Sequence, residues 1–191
     1  MKKTLSALLI ALGMLGTAHA ATYEGVVDGN ALATDFSADG LIAFDLDFSS
    51  LGSTTLRYAI GAADLPSLSF NAVLRNFTGQ GLPAYEIVFS AGGVLPGGAG
   101  TVTRQFGGAS FIDAAGDRAI IRFTPLEFLD VEIGDPLALG SGRADWQLGG
   151  FVPGDVIDIT VTAVPEPETI ALLLSGLGVL LLARRRSRSS D

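Results

Sequence analysis

Apolar and polar residues alternate with a period of two through most of the middle of this chain. In Leu41–Phe48 the apolar set Ile42, Phe44, Leu46 and Phe48 alternates with Ala43, Asp45 and Asp47. Residues 67–74 place Leu68, Phe70, Ala72 and Leu74 on one side. Tyr85, Ile87 and Phe89 alternate with Glu86 and Ser90, and Arg118, Ile120 and Arg122 oppose Ala119, Ile121 and Phe123. Residues 127–133 set Leu129, Val131 and Ile133 on one face, and 155–163 do the same with Ile157, Ile159, Val161 and Ala163. Half-buried runs of this length, separated by Asp-Gly, Gly-Gly or Pro-Gly, predict antiparallel sheets with one wet and one dry face. Two such sheets must cover each other, so the expectation is all-β, an antiparallel β-sandwich of jelly-roll type. No stretch of 21–164 carries a helical period, and no repeat of fixed spacing suggests a solenoid.

The ends of the chain read differently. Lys2 and Lys3 precede an apolar run over 5–16, and Ala18-His19-Ala20 supplies the small-x-small pattern of a signal-peptidase site. Residues 1–20 are expected as a signal-peptide helix cleaved after Ala20, leaving an exported domain over 21–163. Near the other end, residues 170–183 are uncharged and rich in Leu, and Arg184, Arg185, Arg186 and Arg188 follow. A helix over about 169–183 is short for the ~30 Å hydrocarbon core and would suit a temporary anchor, with the arginines halting transfer on the cytoplasmic side. Pro165-Glu166-Pro167 lies just outside it. Each proline fixes φ and pushes its predecessor toward extended backbone, so Glu166 is presented on a stiff strip. That strip suits the grip of a membrane-embedded protease or transpeptidase, and it equally suits a plain linker.

Val164-Pro165-Glu166-Pro167, a Leu/Gly-rich segment with Gly176-Leu177-Gly178, and the Arg184-Arg185-Arg186 cluster stand in order over 164–188. Together they resemble the PEP-CTERM sorting signal. The resemblance implies recognition by an exosortase, an integral-membrane cysteine protease, and cleavage near Pro165-Glu166-Pro167. It further implies export through the inner membrane of a Gram-negative bacterium, with delivery to the cell surface or the extracellular polysaccharide matrix. It implies nothing about the domain ahead of it.

Composition narrows what that domain can do. Six arginines face 17 carboxylates over 21–164, a net charge of −11. So acidic a surface repels nucleic acid and anionic headgroups. His19 is the only histidine, Lys2 and Lys3 the only lysines, and cysteine is absent. The exported domain therefore lacks His, Cys and Lys, which excludes Ser-His-Asp and Cys-His catalysis, His or thiolate zinc sites, Schiff bases, P-loops and disulfides. The Gly-rich run over 91–100 is accordingly expected as a flexible loop rather than a phosphate cradle.

Carboxylate chemistry survives this exclusion. Asp113 and Asp117, in Asp113-Ala114-Ala115-Gly116-Asp117, are weak calcium candidates, as is Asp28-Gly29-Asn30, but both are first of all turn sequences. No cofactor is otherwise expected. A glycosidase acid pair cannot be picked out, and Asp45 and Asp47 read as a solvated outer face. Trp146 is expected in the core rather than as a handle for sugar, and the sequon Asn76-Phe77-Thr78 is taken as coincidental. The functional expectation is a non-catalytic, structural, adhesive or glycan-interacting domain. The alternatives are a carboxylate-based glycan hydrolase or lyase and a plain single-pass anchored protein.

Overall fold

The computed structural model describes residues 21–166 together with Leu172, Ser175 and Leu177. Among the described residues thirteen strands run in order: β1 (Thr22–Gly29), β2 (Leu32–Asp35), β3 (Leu41–Phe48), β4 (Gly52–Ala59), β5 (Ser67–Asn76), β6 (Leu82–Phe89), β7 (Gly93–Val94), β8 (Val102–Arg104), β9 (Ala109–Ala115), β10 (Arg118–Glu127), β11 (Asp130–Ile133), β12 (Trp146–Gly149) and β13 (Val156–Val164). A single turn of 3₁₀ helix, Ala62–Asp64, interrupts them between β4 and β5. The first sheet has the order β1-β4-β13-β6-β10-β9, and the second runs β2-β3-β5-β11-β8, with β12 and β7 continuing from β5.

The alternation decides which way each strand faces. Ile42, Phe44, Leu46 and Phe48 of β3 and Leu68, Phe70, Ala72 and Leu74 of β5 are buried. So are Tyr85, Ile87 and Phe89 of β6 and Ile157, Ile159, Val161 and Ala163 of β13. These inner faces meet in one cluster. Phe70 in the second sheet lies edge-on to Phe89 in the first at 5.9 Å, and Phe48 lies 5.7 Å from Tyr85 in the same cross-sheet sense. Each large apolar side chain withdrawn from water in this way contributes ~1.5–3 kcal/mol. Without disulfides, that packing holds the two layers together.

Three expectations need correction. The sheets are not wholly antiparallel, because β3 and β5 pair in parallel, with Leu41 beside Ser69 and Phe48 beside Asn76. Parallel neighbours need a crossover, and β4 supplies it by crossing to the other sheet between them. Leu129 does not share a buried face with Val131 and Ile133: β10 ends at Glu127, the chain turns, and β11 starts in the opposite sheet, leaving Leu129 exposed. Charged Glu127 is buried instead.

The third correction concerns the Gly-rich run over 91–100, which is strapped down rather than loose. Val94 N–H donates to Gly116 O at 2.9 Å, Leu95 N–H to Gln147 O at 3.0 Å and Gln147 N–H to Gly98 O at 2.7 Å. Its glycines permit close backbone approach: a Cβ on Gly93 would fall 2.0 Å from Gly116 O, and one on Gly100 2.0 Å from Ala144 O.

The expected terminal helices over 1–20 and about 169–183 lie outside the described residues, apart from helical Leu172, Ser175 and Leu177. Among the described residues no helix is long and apolar enough to cross a membrane.

Candidate functional site

The parallel β3–β5 register places Ala43, Asp45 and Asp47 beside Asn71, Val73 and Arg75 on the outer face of the second sheet. Antiparallel β11 then sets Asp130 opposite Arg75 and Glu132 opposite Val73. Asp45 and Asp47 therefore do point outward, as expected, but they are not merely solvated. Arg75 donates from Nη2 to Asp45 Oδ2 at 2.5 Å and from Nη1 to Asp47 Oδ1 at 2.9 Å, while its Nε lies 3.8 Å from Asp130 Oδ2. These bonds, the one to Asp47 foremost, raise the guanidinium's pKa against the opposing effect of partial burial. Asp130 is raised from its ordinary value chiefly by partial burial, which Arg75 opposes. Further along β11, Glu132 is held by Arg143 and by Gln105 Nε2, the latter at 3.0 Å.

Beside this ionic row lies a shallow depression of about 160 Å³. Ala43, Asn71 and Val73 contribute to it from the sheet, Asp45 lies at its polar edge, and Phe36 and Leu137 flank it. Phe36 and Leu137 remain 58% and 57% exposed. Leu137 is positioned by the connection over 134–145, which two carboxylates shape. Asp135 accepts from Leu139 N–H at 2.9 Å and from Gly140 N–H at 2.7 Å, and Asp145 Oδ1 accepts from Asp135 N–H at 2.8 Å and from Asn71 Nδ2 at 3.2 Å. Small-molecule sites usually reach ~300 Å³ or more, so this depression suits one ring-sized group. The exposed apolar flanks offer contact area, and Asp45 and Asn71 offer hydrogen-bonding groups.

Other candidate residues fall elsewhere. Asp113 lies on β9 and Asp117 in the Gly116-Asp117 turn to β10, where Arg122 Nη1 approaches Asp113 Oδ2 at 3.9 Å. Among the described residues, no group of three or more His, Cys, Asp or Glu side chains converges as a metal site would need. Asp28 accepts from the N–H of Gly29 at 2.8 Å, forming its own turn. Trp146 is fully buried, stacked edge-on with Phe70, and its Nε1–H donates to Thr101 O at 3.2 Å, which places it in the expected core role. The Asn76 side chain is buried and bonded to Gln80 O at 2.7 Å and to Thr78 Oγ1 at 2.7 Å. Sequence reasoning missed Arg75, Asn71, Phe36 and Leu137. Only the β3–β5 pairing and the fold of the 134–145 connection bring these residues to Asp45, and neither leaves a local signature.

Pro165 and Glu166 follow β13 directly as half-buried, irregular backbone. Pro167, Arg184, Arg185 and Arg186, like Ala18 and Ala20, lie outside the described residues. No curated protein and no solved structure matches the chain. A family model for the PEP-CTERM protein-sorting motif matches residues 163–188, beginning on the last residues of β13. The chain carries a PEP-CTERM protein-sorting motif joined without a spacer to the final strand of a two-sheet β-domain.

Proposed function

We propose that this is an exported surface or matrix protein of a Gram-negative bacterium, anchored transiently through residues 170–183 and released or transferred by an exosortase acting near Pro165-Glu166-Pro167. Its β-domain serves a structural or adhesive role and touches extracellular polysaccharide through the depression between Phe36 and Leu137. The observation that carries the sorting part is the motif's direct attachment to β13. Cleavage there removes the tail and leaves every strand of the sandwich intact.

The non-catalytic reading is supported by how the acids are used. Asp45, Asp47 and Asp130 share Arg75, Glu132 is held by Arg143, and Glu127 by Arg104. A glycosidase needs two acids facing each other across a cleft that admits the sugar, whereas each of these five carboxylates is engaged by an arginine. The reading invokes no cofactor.

Intact-mass measurement on protein recovered from the cell exterior tests the processing. A mass beginning at Ala21 and ending near Pro165-Glu166-Pro167 is expected, and replacing those three residues with alanine is expected to retain the tail. A mass that still includes Arg184–Arg186 would overturn the processing and favour a plain anchored protein. For the glycan contact, Phe36→Ala and Leu137→Ala should each weaken co-sedimentation with the organism's own polysaccharide. Unchanged co-sedimentation of both variants would remove the depression from the account.

A further inference from the structure

The strand directions put β13's last residue, Val164, at one particular end of the sandwich. Val164 pairs with Ala84 near the start of β6, Glu127 of β10 pairs with Leu82, and Gly52 of β4 pairs with Ala163. In the second sheet, Phe48, Asn76, Asp130 and Arg104 mark the corresponding end, with Phe48 beside Asn76, Asp130 opposite Arg75 and Arg104 opposite Val131. Five connections meet there, over 30–31, 49–51, 77–81, 105–108 and 128–129. None contains a charged residue, although the domain carries a net charge of −11. The connections at the opposite end, where the chain enters at Thr22, include Asp39, Asp64, Asp117, Asp135, Asp145 and Asp155.

The same end also bears exposed rings. Phe77, Phe106 and Phe128 are 63%, 48% and 43% exposed, and Leu129 stands beside them at 49%. They form a built patch. The Phe106 and Phe128 rings pack at 5.4 Å, and Phe128 lies across Gly81, where a Cβ would fall 2.6 Å from its ring. The turn bearing Phe77 is tied to the same place by Asn76, whose Nδ2 donates to both Gln80 O and Glu127 O.

We propose that this end seats on the bilayer, with Phe77, Phe106, Phe128 and Leu129 entering the headgroup–acyl boundary while the chain is still anchored. The inference rests on the proposal that residues 170–183 occupy the membrane before processing. The tether leaves little choice of place, because Ile170 follows Val164 by six residues, at most ~20 Å of extended chain. Apolar and aromatic side chains commonly lie ~5–10 Å into that boundary. Connections without carboxylates lessen the repulsion that the rest of this acidic surface would meet at anionic lipid, leaving Asp28, Asp47 and Asp130 at the adjoining strand ends. The seat fixes the domain's axis and holds Pro165-Glu166-Pro167 at the membrane surface, where an embedded protease can reach it.

The test uses the full chain in vesicles of phosphatidylethanolamine and phosphatidylglycerol, with and without brominated acyl chains. Trp146 is buried in the sandwich core and gives a constant background. Phe128→Trp and Phe77→Trp place an indole in the patch, and Val152→Trp places one at the far end, where Val152 is exposed. We expect blue-shifted emission that brominated lipid quenches for the two patch variants and not for the far-end variant. Three results would overturn the seat alone. In the first, the protein floats with the vesicles but neither patch indole is quenched, which leaves the anchor reading intact. In the second, emission shifts blue without quenching, which makes the occupant a second copy of the chain. In the third, all three indoles are quenched, which means the domain lies on its side. A chain that does not float with vesicles at all removes the anchor and the seat together.

Discussion

Arg104 of β8 and Glu127 at the end of β10 form a buried ion pair between the two sheets, with Nε 2.7 Å from Oε2 and both side chains almost wholly excluded from solvent. Every N–H of the guanidinium is used, and both carboxylate oxygens accept. Arg104 donates to the carbonyls of Ala109, Thr124, Pro125 and Leu126, and the Glu127 carboxylate accepts from Phe128 N–H and Leu129 N–H. The guanidinium also lies 5.1 Å from the centre of the Phe123 ring. The pair organises the 105–108 and 128–129 connections, and hence the phenylalanine patch.

Removing one partner strands the other charge in the interior. Arg104→Met is expected to cost about 3–5 kcal/mol in urea unfolding, and Arg104→Met with Glu127→Leu should recover much of that loss. A double variant no more stable than the single one would mean that the arginine's carbonyl contacts, not charge balance, supply the stability.

The strapped Gly-rich run gives a sharp contrast between two neighbours. Gly93 has φ 151° and no room for a Cβ, whereas Gly97 has φ 71° and open space around it. Gly97→Ala should cost only the ~1–2 kcal/mol of left-handed backbone. Gly93→Ala must also displace β7 from Gly116, so its urea midpoint should fall well below that of Gly97→Ala. Equal midpoints would restore the flexible-loop picture.

Acid sensitivity should depend on Arg57. Its Nε and Nη2 bind Asp158 at 2.7 and 2.8 Å, and these hydrogen bonds hold the carboxyl below its ordinary value of 3.8 against slight desolvation. A depressed folded-state pKa contributes stability above the ordinary value and loses it as pH falls through the lowered one. Arg57→Gln should therefore flatten the stability profile below about pH 3.8. An unchanged profile in the acid limb, measured by urea midpoints, would contradict this.

Asp130 has the opposite sign. Partial burial raises its pKa, so its charged form is disfavoured in the folded state, and this penalty disappears as pH falls through the raised value. Asp130→Asn should be slightly stabilising at pH 7, by well under ~1 kcal/mol for so exposed a group. That gain should vanish below the ordinary value of 3.8. A loss of stability at pH 7 would show that the contact with Arg75 outweighs desolvation.

Much of this architecture is legible in local pattern. The buried faces of β3, β5, β6, β10 and β13 follow from alternation, because a pleated strand sends successive side chains to opposite sides whatever its partners are. The face of β4 was equally readable, since Thr54, Leu56 and Tyr58 are its buried positions. Its threonines blurred an apolar count. Pattern failed at Leu129, where the period-two count ran unbroken through a turn between sheets, and at Glu127, which pattern alone puts in water.

The sequence by itself determined the strand faces, the catalytic chemistries excluded by a domain without His, Cys or Lys, and the sorting motif over 163–188. All three depend on residue identity or on spacing within a few residues. The tertiary structure decided that β3 and β5 run parallel so that Arg75 gathers Asp45 and Asp47, that Arg104 reaches Glu127, and that five uncharged connections meet where the chain leaves for its tail. Those outcomes turn on which distant strands pair, and in which register. That choice is made by the joint burial of two whole sheet faces, so no single segment encodes it.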